Sequence, residues 1–304
     1  MMNSIERRLK VSVVIPTFRR PVPLERCLAA LARQDLPHEQ FEVLVVDDGS
    51  AIPPRDIVSR FAAGMNVRLI EQANSGPATA RNKGAAEAHG ELLAFTDDDC
   101  VPDPDWLTAL TMSSAGHPGA AVGGRIINAL GDGLFSTASQ VLIEYLYEYY
   151  NDENESARFF ITSNLAFPAE SFRQSGGFDR TFPLAAAEDR DMCDRWREDG
   201  LALVFDPNAI VRHRHALGLR AFIRQHFTYG RGAHHLHRAR AKRGMAQIQV
   251  EPMQFYTRLI LYPMRVGAGL RAPLLSILML VSQAAYASGY FLERWWSRHL
   301  EPGA

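Results

Sequence analysis

Leu92-Leu93-Ala94-Phe95-Thr96-Asp97-Asp98-Asp99 is a short apolar run that ends in three adjacent carboxylates. Like charges at neighbouring positions repel and raise each other's pKa, so such a cluster calls for a positive counterpart. A hard divalent cation, held by one or two carboxylates together with substrate phosphates, is the usual one. The plain alternative is an acidic, solvated turn. Similar runs lie upstream: Val11 to Ile15, stopped by Pro16; Glu42 to Val46, ending in Asp47-Asp48-Gly49-Ser50; and Val67 to Ile70. Stretches with helical spacing separate them, at Pro23 to Gln34 (Leu24, Cys27, Leu28, Leu31), Pro54 to Ala63 and Ala78 to His89. Near-continuous apolar strands alternating with helices predict a parallel sheet covered on both faces. In such sheets ligands sit beyond the carboxyl ends of the strands. Both acidic clusters fall there.

The second half changes character. Pro104 to Ser113 reads as a helix and Ala121 to Ile127 as a strand. Phe135 to Tyr150 is amphipathic and crowded with tyrosines, which at helical spacing read as core or interface rather than chemistry. Beyond Asp206 the chain turns basic, with His213-Arg214-His215 and many arginines up to Arg243. His234, His235 and His237 read as a surface facing phosphate or anionic lipid. Pro273 to Leu292 contains no charged residue and is long enough to cross a bilayer. Arg265 and Arg271 precede it, and Arg294, Trp295, Trp296 and Arg298 follow, an arrangement suited to a headgroup region. Spanning, lying on the membrane and burial within the protein all stay open.

Composition narrows the partners. With 47% hydrophobic and 22% charged residues the 304-residue chain is an ordinary globular protein. A net charge of −1 gives no reason to expect nucleic acid. Cys27, Cys100 and Cys193 are odd in number and widely spaced, which argues for reduced thiols in the cytosol and against a disulfide framework or a zinc site. The polar segment Met1 to Lys10 and the short run after it do not read as a signal peptide.

The motifs VSVVIPT (Val11 to Thr17), EVLVVDDGS (Glu42 to Ser50), GPATARNKG (Gly76 to Gly84) and FTDDD (Phe95 to Asp99), then Gly176-Gly177-Phe178-Asp179 and Glu188-Asp189, occur in this order. Over residues 11 to 215 the chain resembles the family 2 glycosyltransferases. The resemblance implies the α/β GT-A fold, a Rossmann-like mixed sheet flanked by helices. A nucleotide-binding half would occupy about 11–115 and an acceptor-binding half 116–215, followed by a basic, then apolar, helical extension over 216–304. It also implies an inverting, Mn²⁺- or Mg²⁺-dependent transfer from a nucleotide-diphosphate sugar, UDP-linked by family habit, to a carbohydrate or lipid-linked acceptor. With the extension in contact with a membrane, the catalytic domain is expected on its cytoplasmic face.

Each motif has its own chemistry. Pro16 and Thr17 end the first strand where a nucleotide would lie, and Thr17 or Arg19 could contact ribose or phosphate. Asp48 presents an acceptor-only carboxylate for a base imide or ribose hydroxyls, or caps the next helix. Arg81 can reach the nucleotide with a charge-assisted fork. In the family's Asp-x-Asp pattern, Asp99 holds the metal bridging two phosphates, Asp97 touches ribose or metal-bound water, and Asp98 is the least essential. Asp189 is the family's base for the acceptor hydroxyl, with Glu188 beside it; acids also suit a helix start there. Asn164 falls at the usual edge of the donor-sugar pocket, and His213 or His215 would complete the metal site or bind the diphosphate. Arg231 follows a segment with faint likeness to the Gln-x-x-Arg-Trp motif of processive members, and would bind donor phosphate or acceptor. A sugar nucleotidyltransferase would want a glycine-rich loop in place of Pro16-Thr17-Phe18-Arg19-Arg20. A non-catalytic binding module is harder to reconcile with intact Asp99 and Asp189.

Overall fold

The computed structural model describes residues 9–131, 133–151, 157–245 and 251–299; the polar start expected from residues 1–8 lies outside them. The first half alternates as expected: β1 (Val11–Thr17), α1 (Pro21–Leu31), β2 (Phe41–Asp47), α2 (Arg55–Ala62), β3 (Val67–Glu71), α3 (Pro77–Glu87) and β4 (Leu92–Phe95). β1 lies between β2 and β4 and is parallel to both. Pro16 does not stop β1, which runs one residue beyond it, paired with Asp47. Val14 makes the last contact to the β4 side, through the Thr96 N–H, so the N–H that Pro16 lacks points where β4 has already left the sheet.

The second half breaks the parallel pattern. β5 (Cys100–Pro102), α4 (Trp106–Gly116), β6 (Ala121–Asn128), α5 (Leu134–Tyr150), β7 (Leu165–Pro168), α6 (Ala169–Gln174), α7 (Glu188–Glu198) and β8 (Leu203–His213) follow. β7 joins β4 antiparallel, β6 is antiparallel to β7, and β8 pairs with β6 in parallel and with β5 antiparallel. The result is one mixed sheet of eight strands in the order β3-β2-β1-β4-β7-β6-β8-β5. Strands β5 and β7 are too short to show periodicity. β8 carries Asp206-Pro207-Asn208 at an irregularity in its register with β6, which disguises it as a loop.

Three helices close the molecule: α8 (Leu219–Lys242), α9 (Met253–Arg265) and α10 (Ala272–His299). α8 and α10 touch backbone to backbone, because a Cβ at Gly230 would collide with the Tyr286 carbonyl and one at Gly289 with the Phe227 carbonyl. The basic stretch is not the open surface expected from its sequence. Arg240 pairs with Asp194 and Arg243 with Asp191, both on α7, while Arg231 and His235 share Glu293 of α10. His237 meets the Tyr290 hydroxyl, and His234 is buried. The segment Gly269–His299 is long and apolar enough to cross a membrane by length and composition, and about a third of its most apolar window is buried in the protein. The tyrosines of α5 pack inward: Tyr145 is buried against Phe255 and Tyr262, and the hydroxyls of Tyr149 and Tyr150 both donate to Glu251.

Candidate active site

The carboxyl ends of β1, β2 and β4 open into one cavity of about 500 Å³, bounded on its other sides by α5, α7, α8, α9 and α10. Thr17, Asp48 and Asp97 to Asp99 face it from the sheet, and Glu188 and Asp189 from the start of α7. The ends of the apolar strands therefore deliver five polar residues to one place, and the start of α7 adds two.

The three aspartates have three environments. Asp98 is buried; its carboxylate accepts the Thr17 hydroxyl at 2.8 Å and pairs with Arg20 at 2.9 Å. Burial nevertheless pushes its pKa up to about 7, against the pull of Arg20 and Thr17. Asp99 is buried too, but His213 Nε2 at 3.2 Å and Arg20 at 2.6 Å outweigh that burial and hold it well below the usual carboxylate range. His213 is raised in return: burial opposes its charge, and the Asp99 carboxylate overcomes it. His215, stacked edge-on against His213, is lowered by burial and by the charge of that neighbour. Asp97 is the most open of the three, and one of its oxygens accepts from Arg81 at 2.8 Å.

Arg81, itself buried, joins this cluster to a second. One guanidinium nitrogen bonds Asp97 and another bonds Glu188 Oε1 at 2.9 Å. Burial and the neighbouring Asp189 raise Glu188 to about 7 although Arg81 resists, and burial raises Asp189 as well. Ala187 turns the chain into α7 with a left-handed φ of 73°, and Glu188 and Asp189 occupy the first turn. The helix dipole favours acids there, so the expected helix-start role and a chemical role coincide. Asp189 Oδ1 accepts its neighbour's N–H from Arg190.

The donor set suits a divalent cation. Ligand atoms of Asp99, His213 and His215 lie within 4.8 Å of one another, as do those of Asp97, Asp99 and Cys100. Burial keeps the Cys100 thiol protonated, its pKa well above the ordinary value, so the second group reduces to its two carboxylates. Carboxylate oxygens with imidazole suit a divalent cation rather than a soft, thiolate-seeking ion.

Several expected residues take other places. Asp48 faces the cavity, yet its carboxylate accepts from Gln72, Asn74 and the N–H groups of Ser75 and Gly76, and so shapes the loop before α3. Pro16 and Thr17 line the cavity, but Arg19 does not: with φ 56° it turns outward and its guanidinium stacks on Phe18. Arg20, which the sequence did not single out, takes the inward position. Asn164 is fully buried away from the cavity, accepting from Trp106 and donating to the carbonyls of Arg125 and Ala209. Arg231 faces α10, pairing with Glu293 and lying over Trp296. The extension reaches the site through other side chains of α8, namely Gln225, His226 and Tyr229.

Comparison with known proteins gives this arrangement a context. Residues 12–176, more than half of the chain, match the family model described as glycosyl transferase family 2. A glycosyltransferase of Haloferax volcanii is 36% identical over 38% of this chain and 39% of its own length. The pre-mycofactocin glycosyltransferase of Mycobacterium tuberculosis is 30% identical over 73% of this chain and 46% of its own length. The chain thus spans half or less of these curated relatives. Among solved structures, a mannosyltransferase of Pyrobaculum calidifontis in complex with GDP-Man and Mn²⁺ superposes with a TM-score of 0.61 at 21% identity, covering 97% of this chain and 81% of the other. Residues 1–349 of S. aureus TarS in complex with UDP superpose at 0.56 and 19% identity, over 94% and 92%. At those identities the superpositions speak for the GT-A fold alone, which the mixed sheet and its flanking helices share. The match over residues 12–176, a stretch that includes the strand ends lining the cavity, makes the chain a member of glycosyl transferase family 2.

Proposed function

We propose that the protein transfers a sugar from a nucleotide-diphosphate sugar to an acceptor hydroxyl with inversion at the anomeric carbon. The observation that carries this reading is the pair of carboxylate clusters, Asp97 to Asp99 and Glu188-Asp189, held across one cavity by Arg81. The first cluster suits the charged diphosphate end of the donor. Asp99, His213 and His215, with Asp97, would hold a Mn²⁺ or Mg²⁺ ion, which when bound stabilises negative charge on the leaving diphosphate. Arg20 already neutralises part of the cluster, so Asp98 and Asp99 are fixed in place before a donor arrives.

The second cluster suits the proton. Asp189 accepts the acceptor's hydroxyl proton as that oxygen forms its bond to the anomeric carbon. The bond from that carbon to the diphosphate breaks, and its electron pair leaves with the nucleotide diphosphate. A carboxylate raised toward neutrality is a better base than an ordinary one, and burial beside Glu188 supplies that shift. A UDP-sugar is the first donor to try; UDP-GlcNAc and GDP-Man occur in solved relatives of the fold.

Membrane contact belongs to the same reading. Leu270, Leu274, Ile277, Leu280, Phe291 and Trp295 are exposed along residues 269–299, with Arg271, Arg294 and Arg298 at the ends. Three buried free cysteines agree with a reducing, cytoplasmic side. The test is nucleotide release from a panel of nucleotide-sugars, with Mn²⁺, Mg²⁺ or EDTA. Release should need the ion and vanish in Asp99→Ala. Survival of both turnover and metal-dependent nucleotide binding in that variant would sink the metal-site assignment.

A further inference from the structure

The cavity does not end at the carboxylates. It continues between α5, α9 and α10, where Leu142, Leu146, Phe159, Phe255, Tyr256 and Tyr286 form its wall. A nucleotide-sugar has no use for this apolar end, since its phosphates, ribose and sugar need polar partners. Three polar atoms interrupt the wall: Ser139 Oγ, Gln225 Oε1 and His226 Nε2 are buried and have no hydrogen-bond partner among the described residues, and all three residues line the cavity. His226 is only 2% exposed, and burial pushes its pKa down to about 4, so the ring is neutral. Buried polar atoms left unpaired are costly, and three of them on residues lining one cavity mark it as a place where a ligand's polar group belongs.

We infer that this end of the cavity is the acceptor subsite and that the acceptor is an amphiphilic alcohol. Its hydroxyl-bearing head lies between Asp189 and the unpaired atoms of Ser139, Gln225 and His226. Its apolar body lies against Leu142, Leu146, Phe255 and Tyr286. The inference rests on the sugar-transfer reading but adds what that reading leaves open, the class of acceptor. It also explains why the C-terminal helices are part of the site, since α10 supplies Gln283 and Tyr286 to the cavity while its other face is apolar and exposed.

The probe is a series of n-alkyl β-glucosides, from methyl to octyl, titrated calorimetrically below their micellar range into the full chain with Mn²⁺ and UDP or GDP. Affinity should rise at least about tenfold from methyl to octyl as methylenes leave water. Leu146→Trp, which fills the apolar end, should abolish most of that rise, and His226→Phe, which removes a polar atom facing the head at little change in volume, should weaken the whole series and keep the rise. Leu280→Ser, on the exposed face of α10, should leave it intact. A flat series overturns the inference, and so does a rise that survives Leu146→Trp and disappears in Leu280→Ser, because the alkyl chain then sits on the outer face. A series left unchanged by His226→Phe overturns the place of the head. Nucleotide diphosphate titrated alone separates the two levels. Lost metal-dependent nucleotide binding in the unmodified chain tells against sugar transfer itself. Retained nucleotide binding with a flat alkyl series tells against the acceptor class only.

Discussion

Arg81 is the residue on which the two carboxylate clusters depend. Its guanidinium is buried and bonds Asp97 on one side and Glu188 on the other. Removing one partner of a buried pair leaves an uncompensated charge, so Arg81→Ala should cost about 3–5 kcal/mol in denaturant unfolding. It should also raise the pKa of the Glu188-Asp189 pair further, moving the ascending limb of the kcat/KM profile to higher pH than in the unmodified protein. An unmoved limb would place the base elsewhere. Asp189→Asn should lower turnover by roughly 10²–10⁴-fold while nucleotide affinity stays, as measured by titration. The pair also sets a stability trend. Glu188 is raised from 4.5 to about 7 in the folded chain, so between those values the folded state holds a proton that the unfolded state has released. Its contribution is full below 4.5 and is lost as pH rises through about 7. Melting temperatures from pH 5 to 8 should therefore fall less steeply in Glu188→Gln. That Asp48 and Asp97 to Asp99 face the cavity was legible in the sequence because strand ends in a covered sheet are where ligands sit. Glu188 and Asp189, at a helix start, stood out only through the family resemblance. Which of two adjacent arginines points inward was not legible: that choice rests on the positive φ of Arg19, which no spacing encodes. Asn164 misled for a related reason, since a polar residue beside a short strand can equally serve the interior when Trp106 and two carbonyls need partners.

At the scale of elements, the contact between α8 and α10 ties the C-terminal helices to one another. Gly230 and Gly289 permit it by lacking a Cβ, each facing a carbonyl of the opposite helix. Gly230→Ala should force the helices apart, and overpacking of this kind costs about 1–3 kcal/mol. Thermal unfolding should show that loss, while metal-dependent nucleotide affinity stays unchanged because the strand ends are not touched. A fall in nucleotide affinity of the same size as in Asp99→Ala would mean that the extension holds the donor end too. Of these helices α10 was visible in the sequence as a long uncharged apolar run, α8 and α9 only as an undivided helical extension, while β1 to β4 were visible as apolar runs. The partners of the helices were not. Arg240, Arg243 and Arg231 find Asp194, Asp191 and Glu293 some 46 to 62 residues away, and a run of arginines looks solvated until the fold brings acids to it. β8 was hidden for the opposite reason, a proline and two polar residues set at an irregularity in an otherwise paired strand.

For the whole molecule, the question is how a helix with an apolar outer face meets a membrane. Leu275, Leu278, Met279, Ser282, Ala285 and Gly289 of α10 are buried within the protein, and α8 lies along that side with Arg231 and His235 bonded to Glu293. Were α10 to span the bilayer, it would carry these paired charges of α8 and the buried Glu293 into hydrocarbon, where ionised side chains are expensive. Lying in the plane of the interface would ask less: Leu270, Leu274, Ile277 and Leu280 would enter the headgroup boundary, and the exposed Arg265, Arg271 and Arg298 would meet anionic lipid. In that orientation the apolar end of the cavity is walled by the same helix that touches lipid, so an amphiphilic acceptor would have a short path from bilayer to Asp189. Peripheral binding has distinct consequences. The protein should float with vesicles containing phosphatidylglycerol, bind less to pure phosphatidylcholine, and be released in part at about 0.5 M salt, where charges are screened over a few ångströms. Replacing Leu274, Ile277 and Leu280 together by serine should weaken flotation without lowering the melting temperature, because all three side chains already face outward. Resistance to both high salt and alkaline carbonate, with α10 shielded from water-soluble probes along its length, would instead mean that the helix crosses the bilayer and that α8 parts from it there.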